Sequence, residues 1–505
     1  MNRIGITKTA LLVRATLVLS SLLFFSVLLL PAAQADDNDI FSPAVDGPTP
    51  LDTKLTLQDC IDRALKNNHA KAASRYSVAI AEAQHRQALS AYWPQVGVKA
   101  TYSILDQDPN FIFPSQTIQV PASTIIATTP LGPMPVDIPA SSFVVPEQNV
   151  KLMDRQNFIA SLNATLPLYT GGKISSIVKQ AEQGVRAAQE ESRRTDLQVI
   201  YDTTRYYYGV VLGRELLKIG RDTLARMKIT LELTENLYTK GSGRVKKTDY
   251  LRTKTVVEWL RSAVSTLEAN EKLATAALTN TMGIPWDTPI DVAATKLPYT
   301  PVNSDLHELV SETYRFNPDW ARMEAGLTAA EAKISEARSG HLPKIGLVGN
   351  LTRIENSYDK GIVTPENRNS WSIGIGLEIP LFDGLRTTNE VREAKARLAK
   401  LKEQKLLLRD GIALQVKHIF IQLMKSQDQQ TSTAAAAVAA EENRSLNERA
   451  YQEELVETKD VIEAQLMESL MKAQHAKTLY DHLEAQANLD FVVGKEVTGL
   501  IQGIY

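Results

Sequence analysis

Between Lys173 and Tyr238, and again between Arg386 and Glu454, the chain has no proline and is dominated by good helix formers. At 1.5 Å per residue each stretch predicts a helix of about 100 Å. A length of 505 residues suggests about three ordinary domains, but no globular domain holds rods of that length. Val391, Ala394, Leu398, Leu401, Leu408, Ile412 and Ile419 fall on a heptad seam, and Ile462, Leu466, Ala473, Ala476, Tyr480, Leu483 and Ala487 form a second. Heptads sustained over many turns mean helix–helix packing. The small residues of 434–440 allow close backbone approach. Turns are expected at Lys240-Gly241-Ser242-Gly243 and near Glu453-Glu454. Each long helix therefore begins a coiled hairpin.

Four stretches alternate strictly instead. Val96, Val98, Ala100 and Tyr102 share one side of a strand, and Phe158, Ala160, Leu162, Ala164, Leu166 and Leu168 one side of the next. In the second half Ile345, Leu347, Gly349 and Leu351 do so, followed by Trp371, Ile373, Ile375, Leu377 and Ile379. The intervening residues are small or polar. Period 2 gives one apolar face and one polar face, and the lengths suit a tilted strand crossing a bilayer. Tyr92, Trp93, Tyr169 and Phe382 stand at the borders, where an interfacial girdle lies. Four strands cannot close a barrel in lipid, so other copies must complete it. Three copies give twelve strands.

The two halves repeat one pattern. Leu57, Asn68, Ala72, Ala81-Glu82-Ala83 and Pro94 recur as Leu306, Asn317, Ala321, Ala330-Glu331-Ala332 and Pro343. Leu166-Pro167-Leu168-Tyr169-Thr170-Gly171-Gly172 recurs as Ile379-Pro380-Leu381-Phe382-Asp383-Gly384-Leu385. The reading by segment is a signal peptide over 1–35, a linker over 36–54 and a first repeat over 55–281. That repeat has strands near 95–105 and 156–168 and a hairpin over 173–281. An equatorial connector (282–305) leads to a second repeat (306–490), with strands near 344–354 and 370–380 and a hairpin over 386–490. A tail covers 491–505. The first half carries an insertion between its strands, at 104–156, with eight of the 22 prolines. Proline opposes both helix and central strand, so a long surface loop is expected. The matching loop at 355–369 is short and polar.

The leader reading rests on Arg3, Lys8 and Arg14, the apolar run Leu17–Leu30 and the Ala33-Gln34-Ala35 cleavage pattern. Formal charge is −2 for the whole chain, without the basic excess that nucleic acid requires. Cys60 is the one cysteine and reads as buried and structural. Gly241–Thr248 lacks the glycine of a phosphate loop. The histidines show no metal spacing, and His475 and His482, on one heptad face, read as surface residues. No catalytic constellation, metal or cofactor is expected, and an enzyme is not.

Leu55-Thr56-Leu57-x-x-Cys60-Ile61-x-x-Ala64-Leu65-x-x-Asn68, the Pro-Leu-Tyr-x-Gly-Gly and Pro-Leu-Phe-x-Gly borders and the ordered repeat resemble the TolC family of Gram-negative outer-membrane efflux channels. The resemblance covers about 55–490. It implies an α+β membrane protein: a homotrimer with one twelve-stranded transmembrane β-barrel, four strands per chain. Below it lies a long α-helical periplasmic barrel with an equatorial belt, here 55–68, 282–310 and the residues after 490. It further implies outer-membrane lipid, a periplasmic adaptor and an inner-membrane pump of RND or ABC type as partners, in tripartite efflux or type I secretion. The alternative is a periplasmic coiled-coil adaptor or structural protein.

By the same resemblance Asp460 and Glu463 are candidates for acidic rings at the periplasmic entrance. A solvated acidic helix face is the ordinary alternative. Thr248 and Asp249 with Tyr451 are candidates for a link that holds the entrance shut, although the arginine of that network falls at Val456. The tips Gly241, Ser242, Gly243, Glu453 and Glu454 are the expected adaptor-docking sites. The basic Arg244, Lys246 and Lys247 follow the first tip, where an acidic adaptor or neighbour would pair with them.

Overall fold

A computed structural model describes residues 54–241, 243 and 245–500. The signal peptide, most of the linker, Ser242, Arg244 and the last five residues lie outside it. The first half runs α1 (Leu57–Asn67), α2 (His69–Ser90), β1 (Gln95–Ile104), the insertion, β8 (Gln156–Tyr169), α3 (Lys173–Thr239) and α4 (Lys247–Thr281). The second runs α5 (Leu306–Phe316), α6 (Pro318–Arg338), β9 (Lys344–Asn356), β10 (Asn369–Glu378), α7 (Arg386–Gln452) and α8 (Thr458–Val493). Matching elements have nearly equal lengths. Both α1 and α5 have 11 residues, α3 and α7 both have 67, and α4 and α8 have 35 and 36. Helix α8 runs three residues beyond the boundary expected from sequence.

The strands form one antiparallel sheet in the order β1-β8-β9-β10. Its register aligns the two kinds of face across the halves. Val98, Leu162, Leu351 and Trp371 make one continuous apolar row, and Gly97, Asn163, Asn350 and Ser372 make a polar row beside it. Asn350 donates to Asn163 across the β8–β9 seam at 2.6 Å. The apolar face is open: Trp371 is 75% exposed and Ile375 71%. A surface of that kind is built to be covered by lipid or by protein.

The insertion departs from the expected loop. It is a regular two-stranded ribbon of six short strands: β2 (Asn110–Phe113) with β7 (Gln148–Lys151), β3 (Gln116–Val120) with β6 (Ser141–Val145), and β4 (Ser123–Thr129) with β5 (Gly132–Ile138). The prolines permit this because a ribbon has only edges. Pro133 and Pro135, two apart in β5, remove N–H groups from one side of the strand, the side that need not face β4.

The junction between sheet and hairpin is set by two successive left-handed residues in each half. These are Gly171 and Gly172 (φ 63° and 84°), and Gly384 and Leu385 (φ 69° and 68°). The repeated asparagines also act alike. Asn68 caps α2 through Ala70 N–H and donates to Thr281 O at the end of α4. Asn317 caps α6 through Trp320 N–H and donates to Val492 O in α8. Each therefore satisfies a helix start and a helix end, both of which leave orphan groups.

The connector is pinned to the first half. Leu55 bridges Val292 in parallel, and the Tyr207 hydroxyl donates to Leu55 O while accepting from Ala294 N–H. Burial pushes the Cys60 thiol up to about 12, and its side chain is fully enclosed. A core of Leu309, Val416, Ile419, Leu423, Leu489 and Val493 seats α5 on the second hairpin.

Candidate functional site at the helical tips

The return helices α4 and α8 begin in the same way. Asp249 accepts the Lys246 N–H at 2.9 Å and Asp460 accepts the Glu457 N–H at 3.1 Å. Each stands at the third helical position, where a carboxylate satisfies an orphan donor and complements the helix dipole. The two aspartates are thus structural equivalents. The first tip turns through Gly241 and Gly243 (φ 70° and 69°), and the second through Glu454 at φ 55°. Gly241, Gly243, Thr248, Glu453 and Glu454 are all exposed.

Glu463 is exposed and Asp460 half-buried, one helical turn apart on α8. Glu463 shares a groove with Arg252, Lys459, Ile462, Leu466 and Met467. Local charge is therefore mixed, with two cations beside the acidic candidates. Within the chain no hydrogen bond joins Asp249 to Tyr451. Tyr451 is buried, and its hydroxyl contacts the hydroxyls of Thr234 (2.9 Å) and Thr458 (3.0 Å).

That contact is the lowest layer of a polar ladder that sequence reading missed. Each layer takes one residue from α3, one from α7 and one from α8. The second layer is Thr230, Glu448 and Gln465. Gln465 Nε2 contacts Thr230 Oγ1 at 3.1 Å and Glu448 Oε1 at 2.8 Å. The third is Arg226, Arg444 and Glu468. The fully buried Glu468 carboxylate receives Arg226 at 3.0 Å, Arg444 at 3.1 Å and Lys472 at 2.8 Å. Burial pulls this carboxyl up, but Lys472, Arg226 and Arg444 outweigh it and hold it below the ordinary range. The ladder lies within about 20 Å of the tips and fastens the first hairpin to the second. Steps of four on α3 (226, 230, 234) are its one sequence signal, because threonine and arginine there are otherwise unremarkable.

The histidines also correct the sequence reading. His482 is fully buried. Its Nε2–H donates to Thr300 O (2.9 Å), and Nδ1 lies 3.0 Å from Ser426 Oγ. His475 Nδ1 lies 3.1 Å from Thr433 Oγ1. Seven residues separate both the histidines and their partners, so both face the α7–α8 seam, His482 enclosed and His475 half-buried. Burial lowers the His482 pKa.

An amphipathic sheet with an exposed apolar face, continued by paired coiled hairpins, is the fold of an outer-membrane channel protein with a periplasmic extension. The chain belongs to the outer membrane efflux protein family, whose model matches residues 147–284 and 309–495. The TolC-type resemblance holds. The chain is 22% identical to Nodulation protein T of Rhizobium leguminosarum bv. trifolii over 63% of its own length and 67% of that protein. It is 24% identical to the outer membrane efflux protein BepC of Brucella suis, over 61% and 67% of the two chains. It spans about half of the cation efflux system protein CusC of Escherichia coli, at 24% identity. In fold it is similar to the Campylobacter jejuni CmeC outer membrane channel (TM-score 0.67, 16% identity, 93% and 94% covered). A crystal structure of CusC gives a TM-score of 0.68 at 16% identity, covering 90% and 96%.

Proposed function

We propose that three copies join their sheets edge to edge into a twelve-stranded barrel and their hairpins into one periplasmic tunnel. The assembly is a passive exit duct of a tripartite efflux or type I secretion system. The observation that carries this reading is the unbroken apolar row Val98–Leu162–Leu351–Trp371 on a sheet whose two outer strands, β1 and β10, have no further neighbour among the described residues. An open edge in lipid costs several kcal/mol for each unsatisfied backbone group, so the edges find each other. An inner-membrane pump supplies the energy, and a periplasmic adaptor docks at the exposed tips around Gly241–Gly243 and Glu453–Glu454. Asp460 and Glu463 form carboxylate rings at the entrance, where acidic rings favour cations. Thr248, Asp249 and Tyr451 belong to the closure of that entrance.

Purified protein in planar bilayers is expected to form discrete channels and to have a trimer's mass in detergent. A water-soluble monomer without conductance would overturn the reading. Co-purification with an adaptor and pump, lost on replacing both tips, tests the partners.

A further inference from the structure

The ribbon over 110–151 is a second exposed surface of unusual chemistry. Its pairing runs without slip from Asn110↔Lys151 through Gln116↔Val145 and Ser123↔Ile138 to Thr129↔Gly132. It is thus a single hairpin of about 65 Å at 3.3 Å per residue, turning at Pro130-Leu131. Two-stranded hairpins alone in water are marginal and gain stability by packing on a third element. Yet its strands stay open to solvent: Phe111 is 53% exposed, Val144 65% and Ile126 74%.

Charge is distributed unequally between its faces. Only Asp137, Glu147 and Lys151 are charged from Asn110 to Lys151. By alternation and register all three lie on the face of Ile112, Ile118 and Ile126. The other face carries Phe111, Phe113, Ile125, Met134, Val136 and Val144 and no charge along its whole length. The Phe111 and Phe113 rings meet edge to face there, 4.7 Å apart.

The ribbon's root is fixed. Lys151 pairs with Asp108 at 2.7 Å, Leu152 N–H donates to Pro109 O, and Leu152 O accepts the Ile362 N–H of the β9–β10 loop. A Cβ at Gly361 would meet Leu152 O at 1.8 Å, so only glycine allows this seating. The root continues directly from β1, which pairs with β8 on one side and, like β10, has a free outer edge among the described residues. Whatever copy pairs with β1 therefore brings its own ribbon alongside.

We propose that the uncharged face of each ribbon packs against the ribbons of the other two copies, forming a collar beyond the barrel mouth at the end opposite the helices. This rests on the trimeric reading. Mutual burial of these faces supplies the packing partner that a lone hairpin lacks, and the charged face remains in water.

The test uses the full-length chain in detergent and in nanodiscs, treated with a short bis-maleimide. Cys60 is enclosed and gives no background. Ile125→Cys and Val144→Cys are expected to give covalent dimers, whereas Ile126→Cys stays monomeric on denaturing gels. Native mass spectrometry of the same samples reports the trimer. Intact trimers without cross-links at Ile125→Cys and Val144→Cys would overturn the collar and leave the trimeric reading standing, as would equal cross-linking at all three sites. A monomer would remove both. In nanodiscs containing brominated lipid, a fluorophore at Ile125→Cys is expected to stay unquenched. Strong quenching would mean that lipid covers this face, and would also overturn the collar.

Discussion

Glu468 in α8 and Arg226 in α3 meet at 3.0 Å, joining the two hairpins through a carboxylate with no exposed surface. Removing one partner of a buried pair leaves uncompensated charge, at a cost of about 3–5 kcal/mol. Glu468→Ala, which strands Arg226 and Arg444 together, is expected to lower the thermal midpoint markedly and to raise basal conductance. Unchanged conductance would mean that the ladder fastens the hairpins without governing permeation. The pH dependence has a definite sign. The folded carboxyl titrates below its unfolded value, so its contribution is complete above the ordinary glutamate range and is lost as pH falls through the folded value. Acidification should therefore loosen the tips in the native chain more than in Glu468→Gln.

Asp490 behaves oppositely. It accepts Val497 N–H, Thr498 N–H and the Thr498 hydroxyl just past the end of α8. Burial outweighs these donors and pushes its pKa up to about 7. The folded chain then holds a proton that the unfolded chain has released, so the contribution is complete below the ordinary aspartate value and lost as pH rises through about 7. Protection factors of the 494–500 turn, with the intrinsic base catalysis of exchange divided out, are expected to fall as pH rises through about 7. Asp490→Asn should abolish that trend, because an amide accepts the same N–H groups without a charge.

Leu385 occupies the left-handed conformation that Gly172 occupies in the other half. A side chain there costs about 1 kcal/mol. Leu385→Gly is expected to stabilise the chain by about that amount, and Gly172→Leu to destabilise it similarly. Space is not the reason, since a Cβ at Gly172 meets nothing closer than 3.8 Å. Denaturation midpoints in detergent decide it.

Asn68 and Asn317 each serve two helix termini. Loss of a cap costs about 1 kcal/mol, and the stranded carbonyl adds to it, so either alanine variant should lose about 1–2 kcal/mol. Serine should restore only the capping share. Equal stability of the serine and alanine variants would contradict the cap.

If Asp460 and Glu463 form the proposed entrance rings, Asp460→Ala with Glu463→Ala weakens cation preference and cation block in bilayers. Lys459 and Arg252 stand beside Glu463, so Arg252→Gln should strengthen that preference. Selectivity unmoved by the double variant would leave Asp460 its capping role alone.

Proline-free length and strict alternation made the long helices and the four-stranded sheet legible, because each pattern has one period and one geometry. The seam residues Ile412, Ile419, Leu483 and Ala487 are buried as the heptads require. What escaped were contacts between segments distant in sequence. Nothing near Glu468 announces Arg226, and nothing near His482 announces Thr300. The proline-rich insertion misled for a different reason. Proline excludes a central strand, but a ribbon has no centre, so spacing by two leaves the ladder intact. The Asp249–Tyr451 link was placed by resemblance. Within one chain the tyrosine instead serves Thr234 and Thr458.

The sheet's outer strands are unlike each other, and this governs how copies associate. A two-fold contact pairing β1 with β1 would point the two sets of helices in opposite directions, which subunits inserted with one orientation cannot do. Pairing of β10 with the next copy's β1 keeps the orientation and is antiparallel, since the order β1-β8-β9-β10 alternates direction throughout. Such a contact is heterologous, and only a closed ring leaves no edge over. On the proposed twelve-stranded reading, a lone dimer would still expose two edges to lipid, so intermediates should be penalised and assembly of the ring should be cooperative.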